Sequence, residues 1–236
     1  MAEGIPVAED IPVAEETGLA SELRTPRAAA IAGILFALML GTVIVVMSSA
    51  IPRDPAHMGI WITNASSRSS VAFAINLIPF AGIAFLWFIG VIRNRLADRE
   101  DKFFATVFLG SGLLLVGMLF TAAAVMGSVL FVYSESPTLS GDTLRIALVL
   151  ASTLLVTFGA RMAAVFTLSV TMIGLRTELV PSWLSVIGVV CAISLLLTPP
   201  APKLTQLLFP LWVLILSLHI LVVSIRSPAS GTADHR

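Results

Sequence analysis

Apolar residues gather along this chain into six long blocks separated by short polar connectors. The blocks run Ala28–Ser49, Val71–Ile92, Phe103–Tyr133, Ile146–Leu175, Ser182–Thr198 and Thr205–Ile225. A hydrocarbon layer about 30 Å thick needs about 20 apolar helical residues, and soluble cores rarely contain runs of this length. The pattern predicts an all-α protein, a polytopic transmembrane bundle of six helices spanning residues 28–226. Residues 1–27 and 227–236 are expected to be disordered cytoplasmic tails.

Small residues mark where such helices can approach, because lipid supplies little hydrophobic drive for association. In the fourth block Thr153, Thr157, Ala160, Ala164, Thr167, Thr171 and Gly174 recur at spacings of three and four. That is a heptad-like seam for a left-handed crossing. The third block carries a comparable row, Thr106, Gly110, Gly117, Thr121, Ala124 and Ser128. With only Ser134–Arg145 between them, these two blocks are predicted to form an antiparallel hairpin. Gly33, Ala37 and Gly41 offer a further contact stripe on the first block. The third and fourth blocks exceed the bilayer's thickness; they either tilt or project beyond it under the Ala50–Ser70 loop.

Composition sharpens the class without naming a task. Hydrophobic residues make up 57% and charged residues 12%, about half the charged share of soluble domains. The formal net charge of zero gives no electrostatic footprint for nucleic acid. A lone cysteine, Cys191, excludes an intrachain disulfide and any cysteine-based metal cluster. The N-terminal 27 residues hold six carboxylates and the tandem IPVAED/IPVAEE, a composition that does not bury enough apolar surface to order itself. They lack the basic start of a signal peptide.

Lys and Arg fix the expected orientation. With the N-terminus inside, nine of them (Arg24, Arg27, Arg93, Arg95, Arg99, Lys102, Arg176, Arg226 and Arg236) lie on the inner side. Four, Arg53, Arg68, Arg145 and Lys203, lie outside. Cytoplasmic enrichment of basic residues then places both termini in the cytoplasm.

Of 28 charged side chains, only Arg161 falls within an apolar block. A guanidinium in hydrocarbon is costly and normally faces a bundle interior, a cavity or a partner. No block contains Asp or Glu, so its acceptors must be carbonyls, amides, hydroxyls or an anion from outside the chain. Asn76 lies at a height within about 3 Å of Arg161 if both helices stand upright. Pro79 frees a carbonyl nearby. The expected ligand site is therefore Arg161, Asn76 and Thr157 in the outer half of the bundle. The equal alternative is that Arg161 snorkels to the outer interface. Trp61 is expected as an interfacial anchor of the outer loop, His219 as a packing residue, and Asp54 with His57 as a weak acid–base pair. The Asn64-Ala65-Ser66 sequon matters only on a secretory route. No HExxH, CxxC, GxSxG or P-loop motif occurs, so neither a catalytic residue nor a metal or other cofactor is expected.

The runs NLIPFAGIAFLWFIGVIRNRL (76–96), FFATVFLGSGLLL (103–115) and ARMAAVFTLSVTMIGLRTELVPSWL (160–184) resemble a group of uncharacterised six-helix bacterial integral-membrane proteins. That resemblance implies the bacterial inner membrane and carries over no catalytic residues. The functional expectation is a non-enzymatic membrane protein that binds a lipid or protein partner, including another copy of itself. The alternative is a small transporter or channel in which Arg161 attracts an anion or an anionic lipid.

Overall fold

The computed structural model describes residues 25–52, 59–96, 102–136, 140–177, 181–197 and 203–226. These residues are helical apart from their short connections, as hydrocarbon demands of a backbone that must satisfy its own hydrogen bonds. In chain order the elements are α1 (Pro26–Ala50), α2 (Ile60–Thr63), α3 (Ala65–Leu96) and α4 (Lys102–Glu135). There follows one rod made of α5 (Gly141–Ser152), a π-helical segment (Thr153–Gly159) and α6 (Ala160–Thr177). Last come α7 (Ser182–Leu197) and α8 (Lys203–Arg226). Five of these rods are long and apolar enough to cross a membrane, and α7 is a shorter apolar helix. The chain is a multi-pass membrane protein.

Local chemistry starts the rods where they start. Thr25 accepts the Ala28 N–H at 3.4 Å, with Pro26 in the first helical turn where a missing N–H costs nothing. Asn64 caps α3 by accepting the N–H groups of Ser66 and Ser67 at 2.9 and 3.2 Å. Ser140 caps α5 through the Thr143 N–H at 3.2 Å.

α1 packs along α3 and α8, α3 along α4, α4 along the α5–α6 rod, α6 along α7, and α7 along α8. Arg27 at the start of α1 donates to the Ser224 carbonyl near the end of α8 at 3.4 Å, which brings the two ends together. This end is termed proximal and the opposite one distal. Among the buried positions of α3, Val71, Ala74, Ile78, Ala81, Phe85, Phe88 and Ile92 recur at spacings of three and four, the spacing of a left-handed crossing. Gly82, Ala84, Ile89 and Val91 widen that face. Midway along the bundle five helices each contribute one phenylalanine: Phe36, Phe85, Phe108, Phe166 and Phe209. Phe36 stacks on Phe85 at 4.3 Å and Phe108 on Phe166 at 4.9 Å. Phe85 meets Phe166 at 5.0 Å, and Phe209 stands edge-on to Phe85 at 5.8 Å.

The predicted hairpin of the third and fourth blocks is present, but its seams are not the expected ones. α4 buries Phe108, Leu115, Leu119, Ala122, Met126 and Val129. The small row Thr106, Gly117, Thr121, Ala124 and Ser128 is exposed on the other side. Thr121 and Ser128 return their hydroxyls to the Gly117 and Ala124 carbonyls at 2.8 and 2.9 Å. Self-satisfied hydroxyls can face lipid. On α6, Thr167 and Thr171 are buried as expected, but Thr171 lies against Gly188 of α7 and not against α4. Gly33 and Ala37 of α1 are buried, with Phe88 and Ser217 so near Gly33 that a Cβ there has no room.

Phe85→Ala is expected to destabilise the bundle by about 3 kcal/mol, the low end for a buried Phe, because the cavity cost survives in lipid while the transfer gain does not. Phe80→Ala, on the 60% exposed side of the same helix, is expected to change little. Unfolding in mixed SDS micelles compares the two.

Candidate functional site

The sequence-predicted site residues do not converge. Arg161 is exposed, and its Nη1 reaches back one turn to donate to the Thr157 carbonyl at 2.6 Å. Asn76 is exposed as well, and its Nδ2 donates to the Ala72 carbonyl at 2.9 Å on its own helix. Thr157 is half-buried and supplies a backbone oxygen to Arg161, not its hydroxyl. The guanidinium thus runs along its own rod toward the distal end, the direction of snorkelling. The expected interior polar site formed by the three is replaced by two separate self-capped side chains.

An apolar cavity of about 500 Å³ occupies the distal half of the bundle instead. Its walls follow from side-chain size. Below it the phenylalanines fill the axis; at its level α4 offers Ala122 and Ala123, and the α5–α6 rod offers Ala151, Gly159, Ala160 and Ala163. Small residues from two neighbouring helices leave a space that Leu40, Ile78 and Leu119 edge without closing. The π segment contributes Leu155 and Val156 to the same wall. Its Ala160 N–H bonds the Leu155 carbonyl, five residues back. Gly159 permits that wide turn, because a Cβ there would lie 3.1 Å from the Leu154 carbonyl. π turns are rare and concentrate at functional sites.

The lining is graded in polarity. At about 1.5 Å per residue, Leu40, Leu115 and Ala163 stand about 20 Å above the proximal helix ends. Ser48, Ser152 and Gln206 stand about 30–37 Å above them. The three polar side chains therefore gather toward the distal mouth, over an apolar floor. Among the described residues no charged side chain lines the cavity. Arg161 points about 150° away from the Gly159, Ala160 and Ala163 direction, and Asn76 about 130° away from Ile75 and Ile78.

A short cap adjoins this space. Trp61 is 1% exposed and Ile62 4%, and both pack on Val71, Val129 and Leu144 rather than at a water interface. Trp61 is a plug of the distal end, not the expected interfacial anchor. The same cluster contains Ala122, Met126, Leu148 and Ala151, which also line the cavity. The cap packs over the distal ends of the third and fourth blocks, on Val129 and Leu144. Arg68 fastens it by donating to the Ile62 and Thr63 carbonyls at 2.7 and 3.1 Å. It also lies 5.4 Å from the centre of the Tyr133 ring.

The remaining polar residues fall elsewhere. His219 stands edge-on to Trp183 at 6.3 Å, a packing contact. Cys191 is buried. Asp54 and His57 lie outside the described residues. Among the described residues no three His, Cys, Asp or Glu side chains come together. Compared with family models, curated proteins and solved structures, the chain gives no match in any of the three.

The cavity was not legible in the periodicity, whereas a loop covering the long third and fourth blocks is one of the two expectations their length allows. Ala122–Ala123 and Gly159–Ala160 are the only sequence trace, and small residues mark close contacts and voids alike. Replacing Arg68 with Gln is expected to release the cap. Hydrogen exchange at Ile60–Thr63 then rises at least tenfold while exchange at Phe85 stays fixed; unchanged protection at Trp61 would show that packing alone holds it.

Proposed function

We propose that this chain is a six-span, non-enzymatic protein of the bacterial inner membrane, with both termini cytoplasmic, that holds an apolar ligand drawn from the bilayer. Its distal end is then the outer one. The reading is carried by the cavity: about 500 Å³, within the usual size of ligand pockets and lined mainly by apolar side chains. Six traverses are supported by the meeting of Arg27 with Ser224, which needs an even number of crossings. α7, at 16 residues, is about 24 Å long and makes the short sixth. The excess of Lys and Arg on the proximal connectors favours that side as cytoplasmic. An anion pathway at Arg161 has less support, since the guanidinium is turned from the cavity and engaged on its own helix.

The reading is tested by purifying the protein in bilayer discs and weighing it with its bound lipids. Wild type is expected to retain one specific apolar ligand per chain. Ala123→Trp, which fills the space from a buried wall position, is expected to lose it while unfolding at an unchanged or higher temperature. Arg161→Gln is expected to keep it. Identical lipid profiles in wild type and Ala123→Trp would refute the chamber.

A further inference from the structure

We infer that the cavity selects a single chain whose head is an uncharged hydrogen-bond donor, as in a long-chain alcohol, and that it admits this chain sideways from the lipid. The inference rests on the reading of the cavity as a lipid chamber and goes on to its chemistry.

Size limits the ligand to one chain. If a chain carbon takes about the 30 Å³ that a water takes in liquid, the 500 Å³ available holds about sixteen carbons. A two-chain phospholipid exceeds this.

Charge limits the head. The mouth residues Ser48, Ser152 and Gln206 are all neutral, and a carboxylate or phosphate brought among them would lose water and gain no counter-charge from the described lining. The orientation of the hydroxyls goes further. Ser152 donates its proton to the Val149 carbonyl at 2.9 Å, so it offers a ligand lone pairs only. A head that donates, O–H or N–H, matches it, whereas a bare ester or alkane does not. The Gln206 amide, half-buried about 7 Å nearer the floor, both donates and accepts, so a polar head seated deeper than Ser152 also meets an uncharged partner.

The route of entry follows from packing. α1 lies along α3 and α8 but makes no comparable contact with Gly141–Gly159. Ser48, Ile51 and Pro52 on one segment and Val149, Ala151 and Ser152 on the other both line the cavity, and the lateral gap between these two loosely packed segments is the inferred entrance. Val149 is 49% exposed and Ser152 is exposed at that rim. A chain in the adjoining leaflet can slide between them tail first.

The experiment uses the full chain in discs of zwitterionic lipid and reads the unfolding temperature with hexadecane, 1-hexadecanol or palmitate added at pH 8. Saturating 1-hexadecanol is expected to raise Tm by about 5 °C, and the other two by under a fifth of that. Ser152→Lys, at the exposed rim, is expected to reverse the order so that palmitate stabilises most; Gln206→Lys is the second variant should the first fail to fold. Equal shifts with hexadecane and 1-hexadecanol would overturn the head-group inference and leave the chamber standing. Palmitate equal or superior in wild type would do the same, and loss of that preference in Arg53→Gln would assign it to a cation on the Pro52 side. No shift with any of the three, together with an Ala123→Trp protein of the same lipid content, would overturn the chamber and the head-group inference alike.

Discussion

Helices in lipid gain almost nothing by hiding leucine from leucine-like surroundings, so the quality of contact between them decides whether they stay together. The densest contact here is the stack of Phe36, Phe85, Phe108, Phe166 and Phe209, one ring from each of five helices, with centroid distances from 4.3 Å upward. Aromatic pairs add to dispersion through their quadrupoles, which work undiminished in hydrocarbon. The stack sets the spacing of the rods at mid-depth. Above that level α4 and the α5–α6 rod present alanine and glycine, and the cavity lies against those small residues.

Polar groups are managed by a different rule from the one that governs water-soluble cores. Thr121, Ser128, Asn76 and Arg161 are all exposed, and each spends a proton on a carbonyl of its own helix. A polar side chain so occupied can face acyl chains at modest cost, and polarity ceases to report on burial. Conversely, Trp61, Thr167, Ser185, Trp212 and Ser217 each bury a polar atom that has no protein partner. Four of these sit on α6, α7 and α8, the helices around Gly188, where Thr171 and Trp212 close in so tightly that a Cβ does not fit. Packing has won over hydrogen bonding in that corner.

The cap ties the two themes together. Arg68 is a cation spent on carbonyls at the end of a four-residue helix and on the Tyr133 ring, and through them it keeps Trp61 inside the bundle. The Ile60–Thr63 helix thereby covers Val129 and Leu144 of the hairpin, while Phe131, Val132 and Ile146 of the same stretch stay exposed.

The chain by itself determined that its backbone forms helices of membrane-crossing length, because that depends only on apolar run length and on charges kept to the connectors. It also determined the hairpin of α4 with the α5–α6 rod, because a short connector forces neighbours to lie antiparallel. The facing surfaces were beyond it. A row such as Gly117, Thr121, Ala124 and Ser128 suits a close crossing and an exposed face equally well, and its opposite, Leu115, Leu119, Ala122 and Met126, reads as lipid-facing. Arg161 was marked by its charge, but whether it turned inward depended on the roll of its rod, which the contacts of Phe166 and Thr171 with other helices fix. Only tertiary structure decided the void between Ala122 and Gly159, since an absence of atoms arises from where distant residues stand and leaves no pattern along any one of them.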